Sequence, residues 1–250
     1  MNRKKFIELF TICGGSVVNF YVTTGKAVPF KNNSVLNADV VIAGGGLGGC
    51  AAALAALRNN LKVILTEETD WIGGQIAQQG VPPDEHQWIE THGATQLYRD
   101  FRNSVRQYYR HNYPLTETAG ENKYLNPGDG SVSKLCHEPR VALAVLMNML
   151  APYVNLKQLV LLTNYKIISA DVSGNKVSAL KAVNQISGES LTLSAPYFVD
   201  ATELGDLLPL TGTEFITGTE SRKETGELHA PEKANPENYQ AFTFCFAIES

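Results

Sequence analysis

Cysteine is scarce in this chain. Four residues, Cys13, Cys50, Cys136 and Cys245, are scattered over 250 positions with no Cys-x-x-Cys pair. That spacing supports neither a zinc site nor an iron–sulfur cluster. Excess positive charge is also missing: 21 Lys and Arg stand against 25 Asp and Glu, for a net charge of −4. No dense basic cluster occurs beyond the N-terminus, which argues against nucleic acid as a partner. A stable membrane span is not expected either, because the best apolar stretch, near the N-terminus, is interrupted by Glu8 and Asn19. A hydrophobic content of 44% is nevertheless ample for a large core.

The first 27 residues read as an export signal. Asn2-Arg3-Lys4-Lys5 is a charged start, a mildly apolar stretch runs to Val22, and Gly25 and Ala27 supply small residues for cleavage. Arg3-Lys4-Lys5-Phe6-Ile7 resembles a twin-arginine signal with lysine in place of the second arginine. The expectation is export from a bacterial cytoplasm to the periplasm or cell envelope, the alternative being a cytoplasmic tail. Residues 28–37 read as a linker.

The densest information lies between Ala38 and Glu67. An apolar run, Val40 to Ala43, predicts a buried strand, and Gly44-Gly45-Gly46-Leu47-Gly48-Gly49 follows it. A small-residue helix from Leu47 to about Asn59 leads to a second strand, Leu61 to Thr66, that ends at Glu67. Gly44 permits a tight turn, Gly46 lets backbone approach a diphosphate, and Gly49 lets the helix pack on the strand. The helix N-terminus presents unpaired N–H groups to phosphates. Glu67 lies 23 residues beyond Gly44, where a carboxylate accepts hydrogen bonds from ribose hydroxyls; Glu68 takes that place if the strand runs one residue longer.

Beyond Glu67 the chain reads Trp71-Ile72-Gly73-Gly74-Gln75-Ile76, an element that simple nicotinamide dehydrogenases lack after their second strand. Further on, Pro139 opens an apolar helix carrying Val141, Leu143, Val145, Leu146, Met149 and Leu150. A strand at 159–162 follows, then three short strands near 165–172, 176–184 and 189–195, parted by Ser173-Gly174-Asn175 and Ser187-Gly188 turns. The chain then enters Tyr197-Phe198-Val199-Asp200-Ala201-Thr202. This order resembles FAD-dependent oxidoreductases of the glutathione-reductase-like superfamily, including the fumarate reductase and succinate dehydrogenase branch. The resemblance covers roughly residues 36–210 and is closest to the broad family of FAD-dependent oxidoreductases.

That resemblance implies an α/β fold: a Rossmann-like FAD-binding domain with a parallel sheet, a three-stranded antiparallel β-meander and a partly helical insert. It implies FAD as cofactor, with Gly73, Gly74 and Gln75 near the diphosphate and flavin, and Ala201, Thr202, Gly205 and Asp206 walling the nucleotide. It also suggests Arg140, at a helix start, as an FAD contact, with a plain helix-start residue as the equal alternative. Covalent FAD attachment uses a histidine in the glycine-rich segment, and residues 71–81 contain none. Non-covalent FAD follows. Relatives use C-terminal strands with a Gly-Asp motif on the flavin. Here the chain stops at Ser250, just after an apolar stretch, 241–248, that reads as a strand in need of partners. A truncated further region over 211–250 is therefore expected, beside an FAD-binding domain at 38–79 and 136–210.

Residues 80–135 depart from that pattern and read as an insert. Pro82-Pro83 breaks the chain, and a helix from Ala94 to about His111 turns Leu97, Tyr98, Phe101, Val105 and Tyr108 to a core. Arg99, Arg102, Arg106 and Arg110 form the opposite stripe, read as a solvated face, or alternatively as a patch for an anionic substrate. His86, in Asp84-Glu85-His86, is the candidate proton-transfer residue, with a surface histidine as the plainer reading. Cys136-His137 is poorly arranged as a nucleophile pair, since neighbours on an extended chain point apart. The expected function is redox transfer between a small organic substrate, FAD and an unidentified electron acceptor. A nicotinamide-dependent enzyme and a non-catalytic dinucleotide-binding fragment remain the alternatives.

Overall fold

The computed structural model describes residues 34–241 and Cys245. The export signal expected over 1–27, residues 28–33 of the expected linker, and all of the 241–248 strand except Ala241 and Cys245 lie outside them.

Two strands at the centre are hydrophobic without alternation, and this dictates the layering. β2 (Val40–Ala43) and β3 (Val63–Glu67) are buried at every position, as strands covered on both faces must be. They lie in a parallel sheet of order β4-β3-β2-β8, with β4 at Leu159–Thr163 and β8 at Tyr197–Asp200. Successive side chains of β2 point oppositely. Val40 and Ile42 join a core shared with helices, whereas Val41 and Ala43 join a core shared with a second sheet.

The helical layer holds α1 (Leu47–Arg58), α2 (Gln96–Asn112) and α4 (Pro139–Asn155); a short α3 spans Glu117–Glu121. Small residues bring α1 tight against the sheet: Gly49, Cys50 and Ala53 are buried on its inner side. Pro139 starts α4, where its missing N–H costs nothing. Thr95 caps α2 by accepting a hydrogen bond from the Tyr98 amide. Phe101, Val105 and Tyr109 of α2 enter the same core as Val141, Val145 and Leu146 of α4, so the insert packs on the helical layer beside the parallel sheet.

The opposite layer holds the expected meander and corrects the linker. β5 (Tyr165–Ser173), β6 (Lys176–Asn184) and β7 (Ser190–Ser194) form the antiparallel meander, and a fourth strand, β1 (Ser34–Asn37), adds to it in parallel beside β7. The end of the expected linker is therefore sheet. Alternation of Leu36 against exposed Val35 supplies the apolar face that docks it. Two short helices, α5 (Leu207–Thr211) and α6 (Arg222–Thr225), follow β8.

The arginine stripe is a further correction. Arg102 and Arg106 are 2% exposed. Arg102 ion-pairs with Glu85 and Glu90, while Arg106 pairs with Glu90 at 2.5 Å and donates from Nε to the Leu125 carbonyl at 2.9 Å. Arg110 donates to the carbonyls of Gly120 and Asn122, and Arg99 to that of Ile89. The stripe clasps the insert's own loops: the charges of Arg102 and Arg106 are met by Glu85 and Glu90, while Arg99 and Arg110, part-exposed, bond neutral carbonyls.

Candidate functional site

Three chain segments converge at the C-terminal ends of the parallel strands. β2 runs into the glycine turn, and the Gly44 amide donates to the Thr66 carbonyl at 3.1 Å. Gly73, with φ +109°, donates its amide to the Gly45 carbonyl at 2.8 Å, and Gly46 and Gly73 form a parallel bridge. The end of β8 closes the third side, where the Ala201 amide donates to the Ala43 carbonyl at 2.7 Å.

Clearances explain the glycines. A methyl group on Gly44, whose φ is +98°, would stand 2.6 Å from the Thr202 amide nitrogen, and one on Gly49 would drive into the Gly44 carbonyl. One on Gly45 would meet the Glu67 side chain at 2.8 Å. Side chains are thus excluded from three of the turn's glycines by neighbouring protein, while the space beside Gly48 is open.

Between these segments lies a cavity of about 360 Å³, lined by Gly44, Gly46, Glu67, Glu68, Lys166 and Asp206 among others. A second, of about 340 Å³, lies toward the insert against Leu47, Gly48, Gln75, Asp84 and Tyr98. The two share Gly46, Ala201, Thr202 and Glu203. Together they form one cleft across the tip of α1.

Glu67 is 6% exposed and already occupied. Its Oε2 accepts from the Gly45 amide at 2.9 Å, and its Oε1 accepts from the amide and hydroxyl of Thr69 at 2.9 and 2.8 Å. Four lone-pair sites on a carboxylate leave room for a further donor at Oε2. Glu68 is half exposed, lines the same cavity and pairs with Lys166 at 3.1 Å. The Asp200 carboxylate wires the β8 turn, accepting from Thr202 and from the Leu207 amide; the Thr202 hydroxyl in turn accepts from the Asp206 amide. Cys50 is fully buried, its thiol donates to the Gly45 carbonyl, and burial pushes its pKa up to about 12. It is a packing residue here.

The structure therefore gathers Gly44, Gly45, Gly46, Leu47, Gly48, Gly49, Glu67, Glu68, Gly73, Gly74, Gln75, Ala201, Thr202 and Asp206 at or directly behind the cleft, with Gly205 in its turn. Two expected residues fall outside. Arg140 is exposed at the start of α4, ion-paired with Glu138, and lines neither cavity. His86 is exposed; its Nδ1 accepts from the Trp88 amide, and its ring lies 6.2 Å from those of Trp88 and His92. Its neighbours part company: Asp84 turns to the cleft and accepts from Gln75 at 3.1 Å, while Glu85 turns inward to Arg102. Glu203, Tyr165 and Lys166 line the cleft without having been singled out from sequence, and Tyr98, read as a core residue, lines it too. Glu203 could have been noticed as an acid directly after the Ala-Thr pair.

No curated protein sequence matches the chain. Among solved structures it is similar to Mycobacterium smegmatis Sdh1 in complex with UQ1, at 13% identity and a TM-score of 0.45, over 67% of this chain and 34% of that one. It is similar to the Bacillus halodurans glycerol-3-phosphate dehydrogenase complexed with FAD, at 16% identity and a TM-score of 0.44, over 69% of this chain and 36% of that one. The chain thus spans about a third of the length of these structures. Residues 39–249 match the family model described as FAD dependent oxidoreductase, and the chain belongs to that family.

Proposed function

We propose that the protein is an oxidoreductase whose strand-end cleft holds FAD without a covalent bond and exchanges a hydride or electrons with a small organic substrate. The observation that carries this reading is the convergence of the α1 N-terminus, the Gly73–Gly74 turn, Glu67–Glu68 and Ala201–Thr202 on one cleft. The residues present fit the cofactor of the family. An extended dinucleotide needs two pockets joined across a diphosphate seat, and the two cavities meet over Gly46.

When bound, FAD supplies a ring that takes up and returns electrons. The chain's own residues bind and orient. First-turn amides of α1 have no partners within the helix and, with its dipole, offer charge complementary to a diphosphate. Glu67, through its remaining lone pair, and Glu68 accept hydrogen bonds from ribose hydroxyls. The backbone of Ala201 and Thr202 walls the nucleotide. Gln75 and Asp84 close the side toward the insert, which puts substrate near them. Residues 71–81 contain no histidine for covalent attachment.

The test is the visible spectrum of the purified protein. Flavin bands, with all FAD released by acid precipitation, are expected. Colourless protein that binds NADH would move the reading to a nicotinamide enzyme, and flavin that no candidate substrate bleaches would leave a binding module. We further propose export, supported by the charged start at Asn2–Lys5 and the small residues Gly25 and Ala27. Protein from the cell envelope should begin near Val28; an intact N-terminus confined to the cytoplasm would refute it.

A further inference from the structure

Glu203 occupies an unexpected position. A methyl built on Gly46 would stand 3.0 Å from Glu203 Oε1, and one on Gly74 would stand 2.6 Å from the same oxygen. The carboxylate therefore lies between the two glycine segments, at the junction of the two cavities. Among the described residues it has no hydrogen-bond or ion-pair partner. The lining around it is acidic as well. Glu67, Glu68 and Asp206 border the first cavity and Asp84 the second, whereas the one lining cation among the described residues, Lys166, is paired with Glu68.

A cleft built to seat a diphosphate thus carries an unpaired negative side chain at that seat. The end of α1 is the main positive element left to oppose it. From this we infer that Glu203 is a specificity-determining residue: its carboxylate stands in the diphosphate seat and charges the cleft against anionic nucleotides in proportion to their phosphate charge. The inference rests on the FAD reading above. A dinucleotide diphosphate, a diester, carries about two negative charges at neutral pH, while ADP, with a terminal monoester, carries about three. Both must displace or tolerate the carboxylate, and ADP is disfavoured more. Adenosine carries no phosphate charge and is indifferent to the carboxylate. Glu203 is exposed on a rotatable stem, so its displacement needs no backbone change.

The experiment compares wild type with Glu203→Gln, prepared free of nucleotide, for binding of FAD, ADP and adenosine, FAD being followed by quenching of its fluorescence. With like charges some 5–6 Å apart at the wet surface, Glu203→Gln should tighten FAD on the order of tenfold and ADP on the order of thirtyfold. Adenosine should be unchanged. Raising salt to about 1 M should shrink these gaps, because exposed charges are screened; a purely steric role would not respond. Glu203→Ala should act in the same direction as Glu203→Gln. Unchanged or weakened binding of both FAD and ADP in Glu203→Gln would overturn the inference. If wild type binds ADP and adenosine but never FAD, the FAD reading falls, and the ADP-to-adenosine comparison still decides the role of Glu203.

Discussion

At the scale of single residues, adjacent glycines of one motif do different work. A Cβ on Gly49 has no room against the Gly44 carbonyl, yet one on Gly48, a residue earlier, meets nothing within 4 Å. Overpacking a tight contact costs about 1–3 kcal/mol, whereas alanine in place of glycine within a helix gains about 0.5–1 kcal/mol. Gly49→Ala should lower the melting temperature by on the order of 5 °C and loosen FAD, while Gly48→Ala should hold or slightly raise it. Thermal unfolding of the two variants side by side checks this; equal effects would show that the α1–β2 contact has slack. Glu67 shows the same economy. Its carboxylate braces Gly45 and Thr69 before any ligand arrives, so one side chain both shapes the turn and lines the cavity.

At the scale of elements, α2 is the instructive case. Its apolar side was legible from the spacing of Phe101 and Val105, and both are buried. Its arginine side was not legible, because periodicity reports which residues share a face and is silent on what covers it. The partners Glu85 and Glu90 sit in a loop of no regular pattern, and the Leu125 carbonyl is contributed by backbone. Removing one partner of a buried ion pair leaves a charge uncompensated, at about 3–5 kcal/mol. Arg102→Ala should therefore destabilise the protein by that order in urea titration and expose the 85–90 loop to protease. Arg99→Ala, whose guanidinium makes only a long bond of 3.4 Å to the Ile89 carbonyl, should change little. Comparable losses in both would place the weight of the insert elsewhere. The strand–turn–helix–strand unit, by contrast, was readable nearly to the residue, since its strands are continuous apolar runs and its glycines answer to steric needs. The side chains that complete the cleft were not: Lys166 arrives from β5 and Glu203 from the turn after β8, and only the fold brings them to the α1 tip.

At the scale of the whole molecule, acid sensitivity follows from His137. Burial is the main cause that holds its pKa below the ordinary 6.5, and its Nε2 is buried with no partner among the described residues. The Glu138 carbonyl lies 3.1 Å from Nδ1, the Phe101 ring packs against it edge-on, and the nearby Glu85 charge opposes the shift without cancelling it. A histidine whose folded pKa is depressed binds its proton more readily when unfolded. Its contribution is present above pH 6.5 and is lost as pH falls from there through the lowered folded value. Melting temperatures measured from pH 8 down to about pH 5 should decline more steeply for wild type than for His137→Gln. Parallel curves would remove His137 as a cause.

The two sheets also share a length of chain. β1 belongs to the meander, β2 to the parallel sheet, and only Ala38 and Asp39 separate them, with Asp39 Oδ2 accepting from the Lys62 amide at 2.7 Å. That ten-residue ribbon works as a common spine. A single cut within it would leave β1, an outer strand, held in its layer by β7 alone, while β2, a central strand, would keep β3 and β8 on its two sides. A nick at the Ser187–Gly188 bend would leave each ladder zipped.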